Sequence, residues 1–344
     1  MAAPQNPPEL IGQSRAFLDA LEHASRIAMV DRPVLVMGER GSGKELIAAR
    51  IHFLSPRWEG PLVKVNCAAM NEELLESELF GHEAGSFTGA SKRHLGRFER
   101  AEGGTLFLDE ISAASPRVQE KLLRVIEYGE YERVGGEETR IADVRVIAAA
   151  NVDLRVEARD GRFRADLLDR LAFDVVAAPP LRARKEDIAL LAAHFAAKAA
   201  AELAMTFPGF SPKAAAILKS HDWPGNVREL KNVAERAVFH WGEANGEGLV
   251  DDIVIDPFER AFGPVAEAKK SKPQQAATHT PLHDTPETGA ALDLRAQLDA
   301  YEKELAIAAL ARNGGNQKAA ATALRLTYDQ MRGLVRKHGL SKNA

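Results

Sequence analysis

Apolar residues recur at helical spacing from Ser14 to Ala28, where Phe17, Leu18, Leu21, Ala24 and Ile27 would share one face. Beyond this helix the pattern changes to short β-rich runs separated by helical stretches. Strands are predicted over Val34 to Met37, Leu62 to Asn66, Thr105 to Asp109, Val144 to Ala150 and Asp174 to Ala177. Between them, helices are predicted over Lys44 to Phe53, Glu72 to Phe80, Pro116 to Glu127 and Arg164 to Ala172. The strands are apolar at consecutive positions rather than strictly alternating. That is the pattern of a parallel sheet covered by helices on both faces, so residues 1–180 are expected to be an α/β subdomain.

From Leu181 the strand signal ends. Helices are predicted over Lys185 to Met205, Pro212 to His221 and Asn226 to His240, making residues 181–256 a small α-helical lid. Residues 257–290 carry Pro257, Pro264, Pro273, Pro281 and Pro286 among Ala, Thr, Gln and Lys, too little apolar surface to fold, and read as a linker. Order resumes over 291–344 with a helix to Leu310 and two shorter helices, Gln317 to Leu324 and Tyr328 to Lys337. No internal repeat is visible.

Composition narrows the class. The 344 residues are 45% hydrophobic, enough for a sizeable core, and the net charge of −4 rules out a globally basic nucleic-acid binder. Any such role must be local. Cys67 is the only cysteine, which excludes an internal disulfide and suits a reducing compartment. No signal peptide and no apolar run of spanning length is seen, so a cytoplasmic protein without direct membrane insertion is expected. His279 and His283 have ligand-like spacing, but their polar Pro/Thr surroundings argue against zinc.

The chemistry begins at Gly38-Glu39-Arg40-Gly41-Ser42-Gly43-Lys44-Glu45, a G-x-x-x-x-G-K phosphate loop between a strand and a helix. Its backbone N–H groups can cradle phosphates while Lys44 neutralises them. Glu45 replaces the usual Ser/Thr, tolerable near phosphate if it faces away or reaches a metal through water. Downstream, the strand Thr105 to Asp109 ends in adjacent carboxylates, which alternation would place on opposite faces. Asp109 would hold Mg²⁺ and Glu110 would polarise the attacking water of an ATP hydrolysis. Alone, Asp-Glu after a strand reads as a helix cap; with the phosphate loop it reads as an ATPase. Asn151, at the next strand tip, is a candidate γ-phosphate sensor, or else the cap of the following helix. Arg164 and Arg170 are candidate arginine fingers for a neighbouring subunit's ATP, unless they pair with Asp166 or Asp169. Arg228 opens a lid helix and is placed to touch the nucleotide, a salt bridge to Glu229 or Glu235 being the ordinary alternative.

Two further segments stand out. Gly85-Ser86-Phe87-Thr88-Gly89-Ala90 holds one aromatic ring among small residues. In isolation it is a tight turn with Phe87 tucked in; between the two halves of a nucleotide site it reads as a part that pushes on a partner. Near the C-terminus, Ala319, Ala320, Ala323 and Leu324 are expected to pack against Leu326, Met331, Leu334 and Val335 as a helix-turn-helix. Arg325, Arg332, Arg336 and Lys337 would form its basic patch, with Asp329 the single nearby acid. Thr327, Tyr328, Gln330, Arg332 and Gly333 would lie nearest the bases of double-stranded DNA, and Arg325, Arg336 and Lys337 on phosphate. The plainer reading is a charged helical hairpin.

GERGSGKE, ESELFGHEAGSFTGA, GGTLFLDE, FRADLLDRL, APPLRARKEDI and WPGNVREL stand in the order seen in the AAA+ activators of sigma-54 RNA polymerase, the bacterial enhancer-binding proteins. The chain resembles that family over residues 9–241 and again in its C-terminal helices, which are similar to a dimeric Fis-type helix-turn-helix. The resemblance implies an AAA+ P-loop NTPase core, a helical lid and an all-α DNA-binding end. It implies ATP and Mg²⁺ as cofactors, a ring (a hexamer is expected), and enhancer DNA, sigma-54 and RNA polymerase as partners. By the same resemblance Phe87 and Thr88 touch sigma-54, Asn66 restrains Glu110, and residues 129–140 form a second surface loop supporting the first. Glu45 is usual in this family. Ser86 stands where alanine is customary, adding a hydroxyl to the loop tip, and Ala150 stands where threonine is common. With no receiver domain expected before residue 9, the chain is most similar to the phage-shock subgroup, which a PspA-type inhibitor restrains in trans. Trp58 is the candidate inhibitor contact, or a half-buried core residue. The alternatives are a DNA-binding regulator that has lost its motor, and another AAA+ DNA motor such as a helicase.

Overall fold

The computed structural model describes residues 7, 9–86, 90, 92–244, 246–258, 294–324 and 326–340. Its first unit ends at Pro264 and the second begins at Val265. In the first, β1 (Val34–Met37), β2 (Leu62–Asn66), β3 (Thr105–Asp109), β6 (Arg145–Ala150) and β7 (Val175–Ala177) form one parallel sheet in the order β2-β3-β6-β1-β7. Successive strand residues go to opposite faces. Leu106, Leu108, Val146 and Ala148 meet α3 (Glu72–Phe80), α5 (Pro116–Tyr128) and α7 (Ala165–Leu171) in one core. Phe107, Ile147, Val34 and Val36 meet α1 (Arg15–Ala28) and α2 (Lys44–Phe53) in the other. Each fully buried side chain of this size contributes about 1.5–3 kcal/mol. The expected doubly covered α/β sheet is present.

Register sets the functional edge. Met37 lies opposite Ala150, and Asn66 opposite Asp109, so the phosphate loop and the acidic pair emerge along the same carboxyl edge of the sheet. The second surface loop differs from expectation. It is a two-stranded antiparallel hairpin, β4 (Glu130–Glu132) and β5 (Thr139–Ile141), anchored by the buried ring of Tyr131. The short helix α4 (Arg97–Arg100) was likewise not anticipated, whereas the helix expected after Asn151 is present as α6 (Leu154–Arg159).

The lid packs α8 (Glu186–Glu202), α9 (Pro212–Ser220) and α10 (Asn226–Glu243) around Trp223, Leu181, Leu191, Leu218 and Leu230. Trp223 and Asn226 both adopt positive φ (54° and 53°). This backbone is costly for residues with a Cβ. It is held by the Trp223 Nε1 bond to Leu218 O (2.9 Å) and the Asn226 bonds described below.

The second unit contains helices Leu294–Arg312, Gln317–Ala323 and Tyr328–Lys337. Its core is Ala306, Ala309, Ala320, Ala321 and Met331, with Leu310, Leu324, Val335 and Leu340 against it. The expected inward face is thus rotated: Ala321 is buried and Ala323 exposed. The expected linker lies largely outside the described residues, as do His279 and His283. Among the described residues no helix is long and apolar enough to cross a membrane.

Candidate nucleotide site and its attached loops

β1 ends at Met37 and the chain turns through Gly41 (φ 73°) and Gly43 (φ 99°) into α2. Gly43 offers no side-chain cap, so the first N–H groups of α2 remain directed at the loop. Lys44 curls back inside it, donating to Gly38 O (2.9 Å) and Glu39 O (3.1 Å). Burial pushes the Lys44 ammonium pKa down, opposed by the charges of Asp109 and Glu110. Ser42 is buried, its Oγ bonded to Glu39 O. Glu45 turns outward to Lys64 (2.8 Å), which answers how a carboxylate is tolerated here.

The lid grips this loop through residues the sequence did not single out. Arg182 donates two bonds to the Glu39 carboxylate, and Asn226 Nδ2 donates to Glu39 Oε2 (3.1 Å) and Arg40 O (3.0 Å). These partners hold the Glu39 carboxyl at a pKa of about 2. Val227 N donates to Gly41 O, and a Cβ on Gly41 would come within 2.3 Å of Gly225 O. Only glycine fits there. An asparagine after Pro-Gly at a helix start reads as a cap, so Asn226 carried no distinctive signal.

Asp109 closes β3, and its Oδ1 accepts the Glu110 N–H (3.0 Å). Burial raises its carboxyl pKa, with Lys44 acting against that. Its Oδ2 takes no hydrogen bond among the described residues, so one anionic oxygen fits a divalent cation. Glu110 does not continue the strand. Its φ of 51° and ψ of 45° are left-handed, so the expected opposite-face placement is wrong, and it makes no side-chain cap. Instead Glu110 Oε1 faces Arg40 Nε at 3.3 Å. Asn66 is not joined to Glu110 among the described residues; its Oδ1 accepts Ala68 N–H. Asn151 follows β6, and Asp153, not Asn151, caps α6. Arg228 opens onto a cleft of about 580 Å³ shared with Arg40, His221, Asn232, Arg236 and Ile255. Neither expected acid claims it, since Glu229 bonds His221 and Gly225 N, while Glu235 faces Lys231.

The candidate fingers are exposed and parked on acids of their own chain. Arg164 precedes α7 and forks onto Asp166 (3.0 and 2.7 Å), whereas Arg170 reaches Glu127 (2.8 Å) rather than Asp166 or Asp169.

Phe87, Thr88 and Gly89 lie outside the described residues. The root of their loop is fixed: Gly85 N–H donates to Ala90 O (2.7 Å), and Glu83 N–H donates to Val134 O of the hairpin segment. Arg133, with its side chain 1% exposed, bridges Glu83 (2.6 Å) and Glu99. A Cβ on Gly135 would fall 2.5 Å from Ser86 Cβ. Ser86 therefore packs at the root, its Oγ buried and without a partner among the described residues, and does not place a hydroxyl at the tip. Trp58 is 55% exposed, and the neighbouring Arg57 is tied to Asp31 and Asp143.

In the second unit Thr327 and Gln330 form a capping box at the start of the last helix, so both already have a structural job. Tyr328, Arg332, Gly333 and Arg336 are exposed. Lys337 is not free for phosphate as placed: it pairs with Asp299 (2.6 Å) and Glu302 (2.7 Å) of the first helix. Asp329 is therefore not the only acid near the patch. Arg325 lies outside the described residues.

Residues 10–176 match the sigma-54 interaction domain and residues 182–245 the AAA+ ATPase lid domain. The chain is 53% identical over 330 residues to the Psp operon transcriptional activator of Escherichia coli, covering 96% of this chain and 97% of that protein. The chain belongs to the AAA+ sigma-54 activator family. A second member, the transcriptional regulatory protein ZraR of Escherichia coli, is 45% identical over 92% of this chain and 66% of its own length. The crystal structure of NtrX from Brucella abortus in complex with ATP superposes with a TM-score of 0.68 at 32% identity, covering 96% of this chain and 70% of that one. The family assignment, the parallel P-loop fold and the helical lid inferred from sequence all hold. The helix-turn-helix has no match of its own among these findings.

Proposed function

We propose that this protein is an ATP-hydrolysing transcription activator that binds enhancer DNA and remodels the sigma-54 RNA polymerase closed complex into the open complex, at phage-shock promoters. The supporting observation is the convergence of Lys44, Asp109 and Glu110 beside the phosphate loop at one edge of the sheet. Lys44 would neutralise β and γ phosphates, and Glu110 would orient and deprotonate the attacking water. Asp109 would hold Mg²⁺, which when bound offsets phosphate charge. Asn151 and Arg228 would contact the nucleotide in cis. Arg164 and Arg170 would leave Asp166 and Glu127 to serve the adjoining subunit of a hexameric ring. The Gly85–Ala90 loop, rooted on the hairpin through Arg133, would carry Phe87 and Thr88 to sigma-54. A PspA-type inhibitor would dock at exposed Trp58, in the cytoplasm. Similarity to the Psp operon activator across nearly its full length supports this reading over a motorless regulator or a helicase.

Purified protein with ATP should convert sigma-54 polymerase to heparin-resistant open complexes and leave vegetative-sigma polymerase unaffected. Equal action on both, or on neither, would refute the proposal. The helices over 294–337 have their own core, so removing residues 291–344 should abolish enhancer binding and spare ATP hydrolysis. Loss of both in that truncation would place the C-terminal unit within the motor.

A further inference from the structure

The contact between Arg40 and Glu110 links the variable part of the phosphate loop to the water-polarising carboxylate. The backbone of Arg40 is anchored, because Asn226 Nδ2 binds its carbonyl and the following Gly41 O accepts Val227 N–H. Its side chain, whose partner among the described residues is Glu110, is 67% exposed and borders the same open cleft as Arg228 and Arg236. Glu110, 19% exposed, is held by its left-handed backbone just beyond Asp109. An exposed guanidinium on an anchored backbone thus meets a largely buried carboxylate.

We infer that Arg40 is a positioning residue that clamps Glu110 while the site is empty and releases it when a triphosphate occupies the loop. Arginine binds phosphate oxygens by charge-assisted, often bidentate bonds, and a nucleoside triphosphate carries several charges against one on Glu110. Arriving phosphates would draw the guanidinium away, freeing the carboxylate for water only once there is a phosphoryl group to attack. The clamp costs some binding energy, because triphosphate must break an existing ion pair to recruit Arg40. This inference rests on Glu110 being the base proposed above.

A double-mutant cycle tests it. Affinity for the β,γ-imido analogue of ATP would be measured for the full-length protein, Glu110→Gln, Arg40→Gln and the double variant, each first shown to melt as the wild type does. With Arg40 present, Glu110→Gln should tighten analogue binding about two- to fivefold, the range expected for a pair with one exposed partner. In the Arg40→Gln background the same change should have no effect. Arg40→Lys, which keeps the charge, should restore most of the gain, and absence of rescue would count against an electrostatic clamp. Equal tightening in both backgrounds would mean that Glu110 repels phosphate unaided, and no tightening in either would mean there is no clamp; both overturn the inference. ATP turnover by Glu110→Gln separates the two levels. Wild-type turnover would remove the base assignment and the inference with it, whereas an inactive enzyme with a silent cycle removes only the inference.

Discussion

Exchanging Glu110 for glutamine is expected to lower ATP turnover by about 10²–10⁴-fold, the usual contribution of a positioned general base, without weakening nucleotide binding. Glutamine keeps the length and the carbonyl oxygen of the side chain but cannot take a proton from water. The geometry argues for loss of chemistry rather than of fold. The Glu110 side chain caps no helix, and its ion pair among the described residues is with a largely exposed arginine. Its left-handed backbone comes with an N–H bond to Asp109 Oδ1 that glutamine would retain. The binding apparatus, Lys44 and the N–H groups of the phosphate loop, belongs to a separate segment between β1 and α2. Single-turnover hydrolysis alongside fluorescent-nucleotide titration would separate the two quantities. A turnover within about threefold of wild type, well below a base's usual share, would assign the proton transfer elsewhere.

The parts of this site that were legible in the sequence are those written as strong contrasts. Apolar strands bounded by Gly, Pro and charge were placed within a residue of the observed ends, and the phosphate loop and acidic pair follow directly from them. Strand alternation failed at Glu110, because nothing in Leu-Asp-Glu-Ile signals that the chain leaves the extended region one residue after Asp109. The hairpin over 130–141 was missed because its strands are three residues long and Tyr131 is the one buried ring in a run of charges. In the C-terminal unit, Ala319, Ala320, Ala321 and Ala323 give almost no hydrophobic contrast around the helix, so its inward face was set one position off. Lys337 was assigned to DNA because its partners, Asp299 and Glu302, are distant in sequence. Short-range pattern locates elements well, and it cannot see which charges the fold will pair.

The largest loss of stability is expected at a residue outside the chemistry. Asp187, in the first turn of α8, is fully buried, where it accepts Gln13 N–H (2.7 Å), Ser14 N–H (2.9 Å) and the Ser14 hydroxyl (2.6 Å). It also opposes the burial that pushes the Arg184 pKa down. Arg184 lies 4.7 Å over the Phe17 ring and donates to Ser42 O in the phosphate loop (3.2 Å). Replacing Asp187 by alanine would strand two amide donors and a hydroxyl together, and would take a countercharge from the interior Arg184 guanidinium. Removing one partner from such a group costs about 3–5 kcal/mol, because the desolvated remainder stays unpaired. For a unit of this size the thermal midpoint should fall by roughly 10 °C. Asparagine, which keeps one acceptor, should cost less. Nucleotide affinity should fall as well, since Arg184, which bonds the loop carbonyl, would lose a nearby countercharge. Calorimetric melts with and without ATP would read both effects, and a drop of only one or two degrees, far below that of a broken buried network, would mean that α1 and the lid are joined by other contacts.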